Sequence, residues 1–144
     1  MSVEENKTIA RRYFAEVTSG GDLGVADELF SAAYATDWTI PDMALGPEQV
    51  KFAWAEWRTA FPDWQTTIQW QIAEGDWVAS RIAATGTHVG ELMYRRFGRI
   101  APTGRRVMIE ATVSMRISAG QIIEMAQDGD FLGLLQQLGA VPAP

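Results

Sequence analysis

The sequence predicts a single α+β domain, in which three helices precede a mostly antiparallel sheet and a short final helix. Apolar residues recur at helical spacing over residues 2–61, whereas polar and apolar residues alternate along most of the later chain. Glycine-containing turns separate the alternating segments, as is typical of hairpin connections. The domain is expected to span residues 1–144, with a proline-rich tail at 140–144 that frays.

The N-terminal part of the chain predicts three helices. Ser2 and Glu5 have the spacing of a capping box, and Gly20-Gly21 ends the first helix. Asp22 caps a shorter second helix, and Gly46-Pro47 begins a third. Apolar residues at helical spacing define the inward sides of the three helices: Ile9, Ala10, Tyr13, Phe14 and Val17; Val25, Ala26, Leu29 and Phe30; Val50, Trp54, Trp57 and Phe61. Such an aromatic stripe on the third helix either fills a core or lines a ligand pocket.

The alternating segments predict the strands of the sheet. Residues 34–40 form a short strand containing Trp38, which is either a core residue or a ligand contact. Residues 64–72 and 77–87 form a hairpin, and Arg81 within its returning strand needs a partner such as Glu110 or a C-terminal carboxylate. Residues 107–117 form the longest strand. Its second, mostly polar face would line a wet pocket or contact a second subunit.

The segment 90–104 is a long connection rich in arginine and aromatic residues. Tyr94 and Phe97 accompany three arginines within it, and Arg105 and Arg106 follow directly. Long loops with aromatic residues commonly act as lids or contact surfaces. The alternative is a solvated hairpin whose arginines pair with acidic residues elsewhere in the chain.

The composition excludes several classes of function. No cysteine is present, which excludes disulfides and thiolate chemistry and agrees with a cytoplasmic protein. A single histidine argues against a histidine-based metal site, and a net charge of −6 argues against nucleic acid or an anionic membrane as partner. No apolar run approaches the roughly 20 residues of a membrane span. Six tryptophans indicate either a large flat apolar ligand or an aromatic-rich core.

The segment 119–139 carries the strongest chemical pattern. A strand with period two places Glu124, Ala126, Asp128 and Asp130 on one face, and a leucine-rich helix follows at 131–138. Carboxylates beside an apolar wall have raised pKa values and act as acids or bases near neutral pH. Asp130 is alternatively the N-cap of the helix. Gly129 invites a bulge, so either Asp128 or Asp130 would face the interior.

His88 is the only histidine and closes the strand at 77–87. Its ordinary pKa lies near neutrality, which makes it a candidate acid or base. A lone histidine at a strand end is more often structural than catalytic, and nothing in the spacing pairs His88 with a carboxylate.

Several motifs carry a resemblance to a known family. Gly120, Ile122, Glu124 and Asp130, followed by residues 132–139, resemble the C-terminal signature of the SnoaL-like polyketide cyclases, within the nuclear transport factor 2-like superfamily. The chain is also similar to this family at its start, in its third helix and in the Gly-Thr-His-x-Gly-Glu run around His88. It departs from the family where a usual His-Trp pair is Met125-Ala126, and where a usual Asp-His pair is Asp37-Trp38.

The resemblance implies a fold, a reaction and a set of site residues. The fold would be a curved sheet whose N-terminal helices enclose a conical cavity. The reaction would be an intramolecular aldol addition without cofactor or metal, in an apolar polycyclic or linear polyketide-type substrate. Asp130 would be the acid/base, and Asp128 and His88 further catalytic candidates. The expected substrate-binding residues are Tyr13, Phe14, Trp38, Trp54, Trp70, Glu110, Met115, Arg116 and Ala126.

The departures from the family pattern widen the choice of reaction. Loss of polar groups suits a larger apolar ligand and a ring closure promoted by proximity or a pericyclic route. Hydroxylation and non-catalytic binding of a small molecule remain alternatives. Pairing through the open sheet face would give a homodimer.

Overall fold

The computed structural model describes residues 2–36, 39–94 and 97–144. Its α-helices are α1 (Val3–Arg12), α2 (Ala26–Leu29), α3 (Pro47–Ala60) and α4 (Phe131–Gln137). Its strands are β1 (Phe30–Thr36), β2 (Gln65–Glu74), β3 (Trp77–Thr87), β4 (Leu92–Tyr94), β5 (Gly98–Ile100), β6 (Arg106–Ser118) and β7 (Gln121–Gly129). The predicted α+β class, with helices preceding most of the sheet, is confirmed.

Five strands form a curved mixed sheet in the order β1-β7-β6-β3-β2. Neighbouring strands are antiparallel except β1, which runs parallel to β7 at one edge. Strands β4 and β5 form a separate hairpin. The helices lie on one side of the sheet, which we call the covered face, and the opposite side is the open face. No helix in the described parts of the chain is long and apolar enough to cross a membrane.

The N-terminal helix begins as the sequence predicts and then widens. The Ser2 hydroxyl accepts a hydrogen bond from the Glu5 backbone N–H at 3.1 Å, and the Glu5 carboxylate accepts one from the Ser2 N–H at 2.8 Å. After Arg12 the helix continues as a π-helix over Tyr13–Ser19. Wider turns of this kind occur most often at functional sites, and apolar periodicity alone does not reveal them.

Alternation along β6 places its apolar residues on the covered face, as predicted. Val107, Ala111, Val113, Met115 and Ile117 are all nearly inaccessible to solvent. Strand β3 alternates in the same way, with Val78, Ile82 and Ala84 buried. These two central strands therefore supply the floor of the hydrophobic core on which α1 and the π-helix pack.

Strand β2 breaks the predicted alternation. Its pairing with β3 shifts between Ile68 and Trp70, because an extra residue is accommodated there. A one-residue shift moves the following side chains to the other side of the sheet. Trp70 and Ile72, which regular alternation would place on the same face as Ile68, are therefore 48% and 62% exposed on the open face.

The second helix and the first strand also differ from prediction. The expected second helix is reduced to a 3-10 turn at Leu23–Val25 and the single turn α2, and Phe30 already belongs to β1. Strand β1 therefore starts four residues before the predicted position and buries Phe30 and Tyr34. The substrate-binding candidate Trp38 lies outside the described residues.

The segment 90–104 contains the small hairpin β4–β5, which is only partly solvated. Leu92, Tyr94 and Ile100 are buried, and the Tyr94 ring lies 6.5 Å from the ring of Phe131 on α4. Strand β4 also contacts α3. The hairpin therefore packs against two helices, while Arg99 forms an ion pair with Glu91 at the surface.

Candidate functional site

The predicted site residues lie on two different sides of the sheet. Tyr13, Phe14, Trp54 and Met115 lie on the covered side, where the first two and Met115 are buried and Trp54 is partly buried. Six other candidates lie on the open face or at the surface beyond it: Trp70, Glu110, Arg116, Ala126, Asp128 and Asp130. The sheet separates the two sets, so they do not form one site.

An aromatic cluster on the covered side surrounds a polar contact. Tyr13, at the start of the π-helix, accepts a hydrogen bond from the Trp54 indole N–H at 2.8 Å through its hydroxyl oxygen. Its ring centroid lies 5.1 Å from that of Phe14 and 5.5 Å from that of Phe30, which in turn lies 4.7 Å from Tyr34. We call Tyr13, Phe14, Phe30, Tyr34 and Trp54 the interior aromatic site.

The Tyr13 hydroxyl is arranged as a hydrogen-bond donor. An indole N–H can only donate, so Trp54 occupies an acceptor position on the Tyr13 oxygen and leaves the Tyr13 proton directed elsewhere. Within residues 2–36, 39–94 and 97–144 no group accepts that proton. Burial raises the pKa of Tyr13 well above its usual range, with a smaller contribution from Tyr34. The phenol therefore stays protonated in an apolar environment, where its hydrogen bonds to a carbonyl oxygen are strong.

Asp130 occupies a different position from the one expected for an acid/base. Its carboxylate accepts a hydrogen bond from the Gly133 backbone N–H at 2.8 Å and caps α4, which confirms the N-cap interpretation. The expectation of a carboxylate held against an apolar wall is wrong for Asp130, because Leu134 is buried in the core while Asp130 remains exposed. A capping residue lies at the end of its helix, and here that end faces solvent.

A surface pocket of about 550 Å³ lies next to Asp130. Arg81 and Glu110 on the open face form part of its lining, and they pair at 3.1 Å. Glu110 is thus the partner predicted for Arg81, although both side chains are on the open face rather than in the core. Asp128 lies opposite Thr112 on the same face, so the three acidic residues of β6, β7 and the α4 cap all face solvent.

The remaining open-face candidates, Arg116 and Ala126, interact with or lie beside other residues of the sheet. Arg116 donates to the Glu124 carboxylate at 2.8 Å and lies 3.8 Å from Asp76. Ala126 lies opposite Ser114. Met125, the preceding residue, points to the covered face. The segment thus has the predicted period of two, but its carboxylates point away from the helices.

His88 forms hydrogen bonds that hold the two ends of the segment 90–104 together. It is fully buried, and its Nδ1 accepts a hydrogen bond from the Thr103 N–H at 3.2 Å and lies 3.0 Å from the Thr103 hydroxyl. Its backbone bonds to Arg105 and Gly104. Burial lowers the pKa of His88, which favours the neutral ring. These contacts support the structural interpretation of His88 over the catalytic one.

Sequence reasoning did not identify two buried polar residues near the covered side. Gln49 on α3 accepts from the Ile40 N–H at 2.7 Å and donates to the carbonyls of Met43 and Ala44, which fixes the connection between β1 and α3. Asn6 on α1 is buried, and among the described residues its Oδ1 has no hydrogen-bond partner. Both lie in the first turns of helices, where polar residues are ordinarily at the surface, so the sequence gives no signal for their burial.

The donor set does not suggest a metal site. Among the described ranges, no group of three or more histidine or carboxylate side chains lies close enough together to hold an ion. The interior aromatic site offers hydroxyl and indole groups, which bind carbonyl and hydroxyl groups of organic molecules better than they bind cations. The structure is therefore an α+β domain whose helices and curved sheet enclose an aromatic interior containing a few polar groups.

Comparison with known proteins identifies the family. The SnoaL-like polyketide cyclase family model matches residues 8–138, and the chain belongs to this family. AclR from Streptomyces galilaeus, described as a proposed hydroxylase, is similar at 27% identity and a TM-score of 0.80, covering 99% of this chain and 86% of AclR. IdmH from Streptomyces antibioticus, described as a proposed polyketide cyclase, is similar at 26% identity and a TM-score of 0.75, covering 93% and 98%.

TsrD from Streptomyces laurentii shares the fold, at 23% identity and a TM-score of 0.85 over 98% of this chain and 99% of TsrD. No curated protein sequence matches the chain.

Proposed function

We propose that this protein closes a carbocycle in an apolar, polyketide-type substrate bound at the interior aromatic site. The observation that carries the proposal is the Tyr13 hydroxyl, which Trp54 holds in an apolar environment where no described residue accepts its proton. Membership of the SnoaL-like polyketide cyclase family supports the class of reaction. The aromatic rings around Tyr13 suit a flat or conjugated substrate.

The reaction that these residues support is an intramolecular carbon–carbon bond formation. The substrate folds against the aromatic rings so that its two reacting carbons are close, and the Tyr13 hydroxyl donates to a carbonyl oxygen conjugated with one of them. That hydrogen bond withdraws electron density from the carbon and stabilises negative charge developing on the oxygen. The new bond uses electrons already in the substrate, so the product is an isomer. Orientation alone can contribute several kcal/mol to such a step.

An aldol route with Asp130 as base is the alternative within the same class. It requires Asp130 to reach a proton next to a substrate carbonyl, whereas its carboxylate is exposed and engaged in capping α4. We therefore assign the main effect to orientation and to Tyr13, without cofactor, and treat proton transfer by Asp130, Asp128 or His88 as the competing mechanism.

A homodimer formed through the open face is part of the proposal. Trp70, Ile72, Trp77 and Met108 are large apolar residues exposed on this face. Paired charges lie between them, so a second copy would cover apolar area without burying an isolated charge. In such a dimer the open-face candidates Trp70, Glu110, Arg116 and Ala126 contact a second subunit rather than the substrate.

The test is the exact mass of the metabolites in a strain without this gene, compared with the parent strain. Accumulation of an isomer of the final product, or of a compound differing by one water, supports ring closure. A complementing gene with Tyr13→Phe is expected to leave most of the precursor unconverted, while Asp130→Asn restores the product. An unchanged metabolite profile would reject an enzymatic role and leave a binding or accessory one.

Hydroxylation is the second candidate because AclR, at 27% identity, is described as a proposed hydroxylase. This reaction would insert one atom of O₂ into the substrate and reduce the other to water, with two electrons supplied by a reductant or by the substrate itself. The same mass measurement separates the two reactions, because the accumulated precursor would then lack one oxygen relative to the product.

A further inference from the structure

Residues 101–105 connect β5 to β6 along the surface of the protein, and we call them the strap. All five residues are exposed, so no buried side chain of their own fixes them. Hydrogen bonds hold them instead: Thr103 and Gly104 bond to His88, and the Arg105 guanidinium donates to the Gln137 carbonyl at 3.1 Å. The attachment of the strap therefore rests on a few polar contacts rather than on hydrophobic packing.

The His88 ring supplies a contact to the strap that exists only when the ring is neutral. Its Nδ1 accepts a hydrogen bond from the Thr103 backbone N–H at 3.2 Å, and an imidazole nitrogen accepts only while it carries no proton. The backbone bonds between His88 and the strap do not change with protonation: the His88 N–H donates to the Arg105 carbonyl, and the Gly104 N–H donates to the His88 carbonyl. The ring is thus the part of this attachment that responds to pH.

The surroundings of His88 disfavour the charged form of the ring. The residue is inaccessible to solvent, and its ring centroid lies 5.3 Å from that of Phe61. Burial lowers the pKa of His88, and the Gly90 carbonyl opposes this effect more weakly. An imidazolium in this position would lose its hydration and would direct a second N–H at the Thr103 N–H.

Charged side chains on the segments that adjoin His88 are directed to other partners. These side chains are Arg58, Asp63, Glu91, Arg105 and Arg106. Arg58 and Arg105 donate to backbone carbonyls, and Glu91 pairs with Arg99. Asp63 accepts hydrogen bonds from the backbone N–H and the hydroxyl of Thr87, both at 2.7 Å, and Arg106 helps to lower its pKa. In the described parts of the chain, no ionised partner therefore offsets the cost of charging the His88 ring.

We propose that His88 is an acid-sensitive latch for the strap: protonation of its Nδ1 breaks the bond to Thr103 and releases residues 101–105 while the sheet and the helices stay folded. In the open form the ring is in water, so opening takes up one proton. Opening becomes more favourable as the pH falls below the ordinary histidine pKa of about 6.5, and it is independent of pH above that value. The latch does not depend on the proposed reaction.

Release of the strap would first loosen Ile100, the last residue of β5. Ile100 is buried, directly precedes the strap and pairs with Leu92 on β4, which is also buried. Strand β4 in turn contacts α3. The closed latch at neutral pH therefore keeps apolar surface beside α3 covered, and its opening in acid would expose that surface.

Hydrogen–deuterium exchange followed by NMR tests the latch at single amides. The reporters are the N–H groups of Thr103 and Gly104, and amides of β3 and β6 report unfolding of the whole sheet. Each rate is compared with the intrinsic exchange rate at the same pH, which gives a protection factor. Between pH 7.5 and pH 5 the protection of both reporters should fall by roughly 30-fold. Glu5 and Asp63, whose pKa values are lowered, stay ionised over this range.

Local opening is distinguished from unfolding of the domain by its size. At pH 5 the reporters should be at least about 100-fold less protected than the central strands. Addition of 1 M urea should accelerate exchange in β3 and β6 but leave the reporters unchanged, because release of the strap exposes little surface.

Two variants of His88 separate its acceptor from its titration. His88→Asn places an amide oxygen near the position of Nδ1, where it accepts from Thr103 but cannot be protonated, so the reporters should stay protected at pH 5. His88→Phe keeps an aromatic ring without the acceptor, so the reporters should be weakly protected at both pH values. The melting temperature of each variant at pH 7.5 shows whether it is folded.

Three results would reject the latch. The first is equal protection of the wild-type reporters at pH 7.5 and pH 5. The second is reporter protection equal to that of β3 and β6 at pH 5, which would mean that the strap opens only when the whole domain unfolds. The third is the same fall in His88→Asn, which would place the titrating group elsewhere. If neither variant folds, the first two measurements on the wild-type protein still decide.

Discussion

The two faces of the sheet use polar groups in opposite ways. On the open face, charged residues pair with each other, as Arg81 does with Glu110 and Arg116 with Glu124. On the covered side, the buried Tyr13 hydroxyl and Asn6 Oδ1 have donor or acceptor capacity that no residue in the described parts of the chain uses. Charges paired with each other need no ligand, whereas unused polar capacity in an apolar interior is stabilised by one. The difference favours the covered side as the place where a substrate binds.

Removal of the Tyr13 hydroxyl is expected to have the largest effect on turnover. Tyr13→Phe deletes the donor to the substrate carbonyl, and loss of one such donor typically lowers kcat by about 100-fold. Turnover of the accumulated precursor by the purified protein measures this. Trp54→Phe is the matched control, because it keeps the Tyr13 donor and removes only the group that orients it. A Tyr13→Phe protein as active as Trp54→Phe would contradict the assignment.

Substitution of two methionines on β6 tests whether the covered face contributes more to stability than the open face does. Met115 is 1% exposed on the covered face, whereas Met108 is 56% exposed on the open face. Met115→Ala should lower the free energy of unfolding by about 3 kcal/mol through lost burial and a cavity. Met108→Ala on the same strand should change it by less than about 0.5 kcal/mol. Urea denaturation of both variants measures the contrast, and equal losses would mean that the open face is buried in an assembly.

Substitution of an exposed aromatic residue on each side of the sheet tests whether the dimer forms through the open face. Trp70 on the open face and Phe52 on α3 are each 48% exposed. Trp70→Lys should convert a dimer into monomers because it places a charge in the apolar contact area, while Phe52→Lys should leave the mass unchanged. Light scattering over a range of concentrations gives the mass. A monomeric wild-type protein, or a dimer indifferent to Trp70→Lys, would move the interface away from this face.

Replacement of Asp130 should have the smallest effect of the four. Asp130→Ala removes the N-cap of α4, and the melting temperature should fall by roughly 3 °C. Turnover should remain within about threefold of the wild-type protein when assayed well below that temperature. Asp130→Asn, which retains capping ability, separates the two effects. A loss of turnover by orders of magnitude in both variants would restore the aldol mechanism with Asp130 as acid/base.

Sequence periodicity predicted which residues of the central strands are buried. It did not predict which residues of the peripheral strands face the core. The alternation in β6 predicts its buried residues because a regular strand keeps its period of two. The same reasoning fails in β2, where the shift between Ile68 and Trp70 exchanges the faces. In β7 a register shift between Ile122 and Glu124 likewise breaks the period, so Glu124 and the residues that alternate with it lie on the face opposite to buried Ile122.

The candidate site could be predicted only in part, for the same reason. Tyr13, Phe14 and Trp54 follow from helical spacing, since a helix turns its apolar side toward the core. The hydrogen bond between Tyr13 and Trp54 joins residues 41 positions apart, and no local pattern encodes it. Asn6 likewise reads as a surface residue, since it sits among charged neighbours in the first turns of α1. The family signature around Asp130 identified the family but not the environment of that carboxylate.

The sequence by itself determined the fold class, the helix caps, the central strands and the family, because these depend on local propensity, periodicity and motif. Only the tertiary structure decided that Asp128 and Asp130 face solvent, that His88 is buried and bonded to Thr103, and that the buried Tyr13 hydroxyl donates to no other described residue. Those properties depend on which groups from distant parts of the chain meet, and on which polar atoms remain unpaired after packing.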